Sequence, residues 1–63
     1  MHEYFYSGPV KEFDKVIVNH WDATTYAVSE KKARSNFTFQ FKKEYGRSVN
    51  ARISLPGKIT MID

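Results

Sequence analysis

The residues with the most chemical potential in this chain are few. His20, Trp21 and Asp22 run consecutively and set an imidazole near a carboxylate, the raw material of a general acid–base pair. In a strand that leads into a turn their side chains need not converge, and a half-exposed His beside a turn Asp is the simpler reading. Asp14 and Asp22 at strand ends could act as paired carboxylates, but turn chemistry explains both equally well. His2 lies at the terminus. Two His and scattered carboxylates show no metal-ligand spacing, and the absence of Cys removes zinc fingers and disulfides. Pro56-Gly57-Lys58 lacks the preceding glycine and the following helix of a phosphate-binding loop. The sequence therefore predicts no catalytic residues, no cofactor, no metal and a non-enzymatic role.

Binding chemistry is better represented. The stretch from Ser29 to Gly46 holds three of the five Phe and five of the ten basic residues. Ser29 reads as a helix N-cap, with Glu30 suited to the positive end of the dipole. The capping box is incomplete, because Lys32 stands where Glu or Gln is wanted. Lys42 and Lys43 suit the negative end, and Gly46 is a natural terminator. Against this, Phe37-Thr38-Phe39-Gln40-Phe41 alternates like a strand. Caps, charges and length agree on a helix over about 30–45. At about 100° per residue, Ala33, Phe37 and Phe41 share a core-facing stripe with Tyr45 at its edge. Phe39 points away, among Lys31, Lys32, Ser35, Lys42 and Lys43. A solvated basic face with one stray Phe is the bland reading. The functional one is a partner-binding patch, with Phe39 as anchor and Lys31, Lys32, Lys42 and Lys43 as its charged rim.

The elements that must position this stretch come from the rest of the chain. Glu3–Tyr6 reads as a short strand, broken by Ser7-Gly8-Pro9; Val10–Phe13 resumes an extended path and Asp14 turns it. Lys15–Trp21 is the clearest strand, with Ile17 and Trp21 on its core face. Asp22-Ala23 makes a tight connection to a third strand, Thr24–Val28. Past the helix, Arg47–Asn50 is a polar loop, and Ala51–Leu55 and Lys58–Ile62 are strands joined by a type II turn at Pro56-Gly57. The expected fold is α+β: an antiparallel sheet of four to five strands against one amphipathic helix, in a single domain spanning 1–63.

Length and charge bound the function. A chain of 63 residues buries only about 60% of its unfolded surface, so ten aromatic side chains or oligomerisation must supplement a small core. A net charge of +3 suits an anionic partner without demanding one. The lack of Cys, of a signal peptide and of a long apolar run predicts a cytoplasmic protein with no membrane partner. Nucleic acid is the alternative partner, with Lys31, Lys32, Lys42, Lys43 and Arg47 neutralising phosphates and nearby aromatics stacking on bases.

Two resemblances bear on this choice. A three-stranded sheet followed by a helix opening on SEKKA is similar to the arm-type DNA-binding domains of phage integrases, over about Lys15 to Tyr45. Those domains lay the sheet in the major groove, whereas Lys15 is the only obvious cation on the sheet expected here. The string WDATTYAVSEKKARSNFTFQFKKEYG, followed by ISLPGKI, resembles small accessory proteins of phages and prophages of Gram-positive bacteria, over Trp21 to Ile59. That resemblance implies an inhibitor or adaptor acting inside the host cell by docking on a host or defence protein, with a homodimer as one possible state.

Overall fold

The computed structural model describes residues 1–48 and 50–62. Its elements are β1 (His2–Glu12), β2 (Lys15–Ala27), α1 (Glu30–Glu44), β3 (Ile53–Ser54) and β4 (Ile59–Met61). The sheet is antiparallel throughout, with β1 in the middle, β2 on one side and both β3 and β4 on the other. The helix covers one face, so the expected α+β architecture is the observed one.

The strands are longer and fewer before the helix than the sequence suggests. Ser7-Gly8-Pro9 does not break β1, and Asp22-Ala23 does not turn; both lie inside paired strands, with Ser7 opposite Asp22 and Tyr6 opposite Ala23. Asp22 is tolerated there because it sits on the uncovered face, in solvent. Two strands rather than three precede the helix, so the likeness to integrase arm domains does not extend to this topology. The β1–β2 register shifts between Gly8 and Lys11 in a way that places two extra residues on β2. Bulges of this kind bend and twist the strand.

The C-terminal segment is also different. Gly57 has no positive φ, so Pro56-Gly57 is not a type II turn. β3 and β4 do not pair with each other; they pair with opposite ends of β1 in one unbroken register. The bonds Phe13 N–H to the Arg52 carbonyl and Ile62 N–H to the Glu3 carbonyl, both 2.9 Å, extend the same register at its two ends. Within it Pro56 falls opposite Pro9. Neither has an N–H to donate, so the ladder opens there.

Tyr6 closes that opening. Its fully buried ring carries a hydroxyl that donates to the Pro9 carbonyl at 2.6 Å and accepts from the Gly57 N–H at 3.0 Å. A Cβ on Gly57 would lie 2.9 Å from that oxygen, so close approach is what requires glycine here.

Tyr6 also belongs to an aromatic core. Trp21 meets Phe41 edge-on at 5.2 Å and Phe37 at 6.4 Å, and Tyr6 lies 6.1 Å from Phe37. Val10, Ala27, Ala33, Leu55 and Ile59 fill the space between. As expected, Ala33, Phe37 and Phe41 are the buried residues of the helix, Trp21 faces the core and Ile17 is packed against it. Tyr45 stacks on Phe41 at 4.3 Å and stays partly exposed.

Candidate functional site

The helix supplies the site, and its ends fix where it lies. Ser29, in extended conformation, accepts from the Lys32 N–H at 3.3 Å, the N-cap bond expected of it. At the other end Gly46 takes φ +66, the Tyr45 N–H bonds the Phe41 carbonyl, and the Arg47 N–H returns to the Lys42 carbonyl at 2.7 Å. This is the Schellman pattern. It reverses the chain and brings Arg47 back beside the last helical turn.

The reversal gathers Phe39, Lys42, Lys43 and Arg47 around one open groove of about 330 Å³. Phe39, Lys42 and Lys43 are neighbours because they stand at i, i+3 and i+4. Phe39 is 63% exposed, as its place on the wheel predicts. Three of the four lining residues are cationic, yet the groove wall is mostly carbon. Long side chains do this by laying their stems along apolar surface with the charged head in water. Lys42 and Lys43 also sit in the last turn, where cations suit the helix dipole on structural grounds alone.

Lys31 and Lys32 do not line the groove. They are exposed in the first helical turn, about 10–12 Å along the axis from Phe39. Arg47 takes their place in the charged rim. The residue that fixes it there is Gly46, which the sequence flags only as a helix stop.

Arg47 links this groove to the tip of the β1–β2 hairpin. Its Nη1 lies 3.4 Å from Glu12 Oε1, with the carboxylate side the more sheltered. Glu12 ends β1, and Phe13 and Asp14 form the two-residue turn. Phe13 has φ +58, while Asp14 is not among the positive-φ residues. That is the pattern of a type II′ turn, whose first central position prefers glycine. Phe13 is nonetheless there, 65% exposed. The composition of this turn carries no signal that an aromatic would stand in the left-handed region.

The second cluster lies on the uncovered sheet face. Contrary to the expectation from sequence, His20 and Asp22 do converge: Nε2 stands 2.8 Å from Oδ1, because residues two apart on a strand share a face. Ser7 Oγ is 3.4 Å from the same Nε2. A nucleophile–base–carboxylate relay needs the hydroxyl and the carboxylate on different ring nitrogens. Here both address one nitrogen, and all three side chains are open to water or nearly so. The arrangement is a surface His–Asp contact with a hydroxyl neighbour. Among the described residues, no group of three or more His, Cys, Asp or Glu is placed to hold a metal ion, and no helix is long and apolar enough to cross a membrane. Asp14 lies in the turn before β2 and Asp22 well inside that strand, eight residues further on, so they form no carboxylate pair.

No protein-family profile, no curated protein and no solved structure matches this chain.

Proposed function

We propose that this chain is a non-enzymatic binding module that docks a protein partner through the groove around Phe39. The observation that carries the reading is an exposed phenyl ring beside three cations on a mostly carbon surface. Such a surface complements an acidic segment with an apolar anchor. The anchor contributes by leaving water, and the surrounding charges steer encounter and set orientation. The resemblance of Trp21 to Ile59 to phage accessory proteins suggests that the partner is a host or defence protein, met in the host cytoplasm. The shared-nitrogen geometry at His20 supports a role without catalysis.

Nucleic acid is the second reading, favoured by the run of Lys31, Lys32, Lys42, Lys43 and Arg47 along and beyond one helix. The carbon-rich wall between the cations favours a protein. A photo-crosslinker in place of Phe39, activated in host cells, separates the two. A protease-sensitive adduct that disappears when Lys43→Glu is added supports protein docking. A nuclease-sensitive adduct, together with binding to random DNA or RNA that falls steeply between about 50 and 200 mM salt, overturns it.

A further inference from the structure

The chain itself carries the kind of segment that the groove should accept. Phe13 is flanked in sequence by Glu12 and Asp14, and the two-residue turn projects it at the end of the hairpin. The groove sets Phe39 among Lys42, Lys43 and Arg47. One feature is an aromatic between carboxylates; the other is an aromatic among cations. Lys11 and Lys15 stand one residue further out along the hairpin and balance its total charge, so the complementarity is confined to the tip.

Two further observations point the same way. Phe13 keeps a bulky side chain at a positive φ, which costs free energy that Gly or Asn would avoid, and a ring left 65% exposed returns little to the isolated fold. The Arg47–Glu12 contact and the bond from Phe13 N–H to the Arg52 carbonyl put tip and groove at the same end of the molecule.

We propose that this chain pairs with a second copy of itself, the Glu12–Phe13–Asp14 tip of each copy entering the Phe39, Lys42, Lys43 and Arg47 groove of the other. This rests on the groove being an acceptor for acidic aromatic segments, as argued above for an outside partner. Because tip and groove share one end, a two-fold axis satisfies both at once and closes the assembly at a dimer. Asp14 of one copy meets the cations of the other, and the Arg47–Glu12 contact within a copy is free to exchange across the axis. Two Phe13 and two Phe39 rings at about 150–250 Å² each bury less than the roughly 1,200 Å² of a standard interface. The dimer is therefore weak and reversible, and an outside acidic partner competes with it for the groove.

The test is sedimentation equilibrium of the full chain from about 10 μM to 1 mM, a range suited to weak complexes. The wild-type chain should show a reversible monomer–dimer equilibrium. Phe13→Asn, which keeps the left-handed backbone, should weaken association at least about tenfold while raising Tm. Asp14→Lys and Lys43→Glu should each be monomeric alone and dimerise when mixed, since each repairs the other's charge. A wild-type monomer at every concentration overturns the proposal. So does a dimer unchanged by Phe13→Asn but lost on Tyr26→Glu, which would place the contact on the open sheet face. A 12-residue Glu- and Trp-containing peptide, titrated in parallel, keeps the two readings apart. Peptide binding without dimerisation overturns self-pairing alone, whereas failure of both overturns the acceptor groove as well.

Discussion

Replacing Tyr6 by Phe removes one oxygen and nothing else, yet it should destabilise the fold measurably. That oxygen donates to the Pro9 carbonyl, which the facing prolines leave without a ladder donor, and accepts from the Gly57 N–H beside it. A polar group stranded away from water costs about 1–3 kcal/mol. Both sites are partly buried, so water recovers some of the loss, and the expected cost is about 2 kcal/mol. A domain of this size has about 3–9 kcal/mol in total. At about 4–8 °C per kcal/mol the loss corresponds to a Tm drop of about 8–16 °C. Gly57→Ala attacks the same point from the other side, since its Cβ would lie 2.9 Å from the hydroxyl oxygen and 3.1 Å from two ring carbons. The ring is fully buried and cannot swing away, so overpacking of about 1–3 kcal/mol follows. Once the hydroxyl is gone the nearest clash is gone too, so the double variant should cost less than the sum by at least about 0.5 kcal/mol. Urea denaturation of the four proteins gives the cycle. A Tyr6→Phe cost below about 0.5 kcal/mol, or additivity within about 0.3 kcal/mol, would refute the role given to this hydroxyl.

Four other substitutions test the helix. Phe37→Ala or Phe41→Ala should cost about 3–5 kcal/mol and leave little folded protein, whereas Phe39→Ala should stay within about 0.5 kcal/mol of the parent; circular dichroism melts distinguish these outcomes. Gly46→Ala meets no atom within 4 Å, so its cost is the left-handed backbone alone, about 1–2 kcal/mol. Because Arg47 is placed by that turn, binding at the groove should fall along with the Tm.

The helix was legible because independent signals agreed on it. Ser29, Gly46 and the spacing of Ala33, Phe37 and Phe41 all describe one amphipathic segment, and the exposure of Phe39 follows from the same wheel. The strand boundaries were not, because the residues that usually mark turns have other work here. Pro9 lies in a central strand at a rung where its neighbour is also proline, so both missing N–H groups fall on one rung, and the Tyr6 hydroxyl takes up the Pro9 carbonyl. Asp22 lies mid-strand because that face is open to water. Gly57 is small to admit a hydroxyl and not to turn a hairpin. These are properties of pairs distant in sequence, and local propensity carries no record of them. The groove was half legible: Phe39, Lys42 and Lys43 follow from helical spacing, but Arg47 joins the groove itself only through the reversal at Gly46.

The side chains of Asn36 and Gln40 reach across to the carbonyls of Tyr26 and Thr24 at 3.3 and 3.4 Å, on the outer edge of β2. The helix thus shields one border of the sheet as soon as it forms. The opposite border has a different history during synthesis. β1 is made first and receives its second neighbour last, since Gly57 lies 51 residues beyond Tyr6. While the ribosome is still making the C-terminal segment, the central strand stands open on one side, the condition in which a nascent chain recruits foreign strands. Pro9 lies midway along that open side and presents no N–H to it. Pro9, one of the two prolines that interrupt the finished sheet, thus also guards the unfinished one.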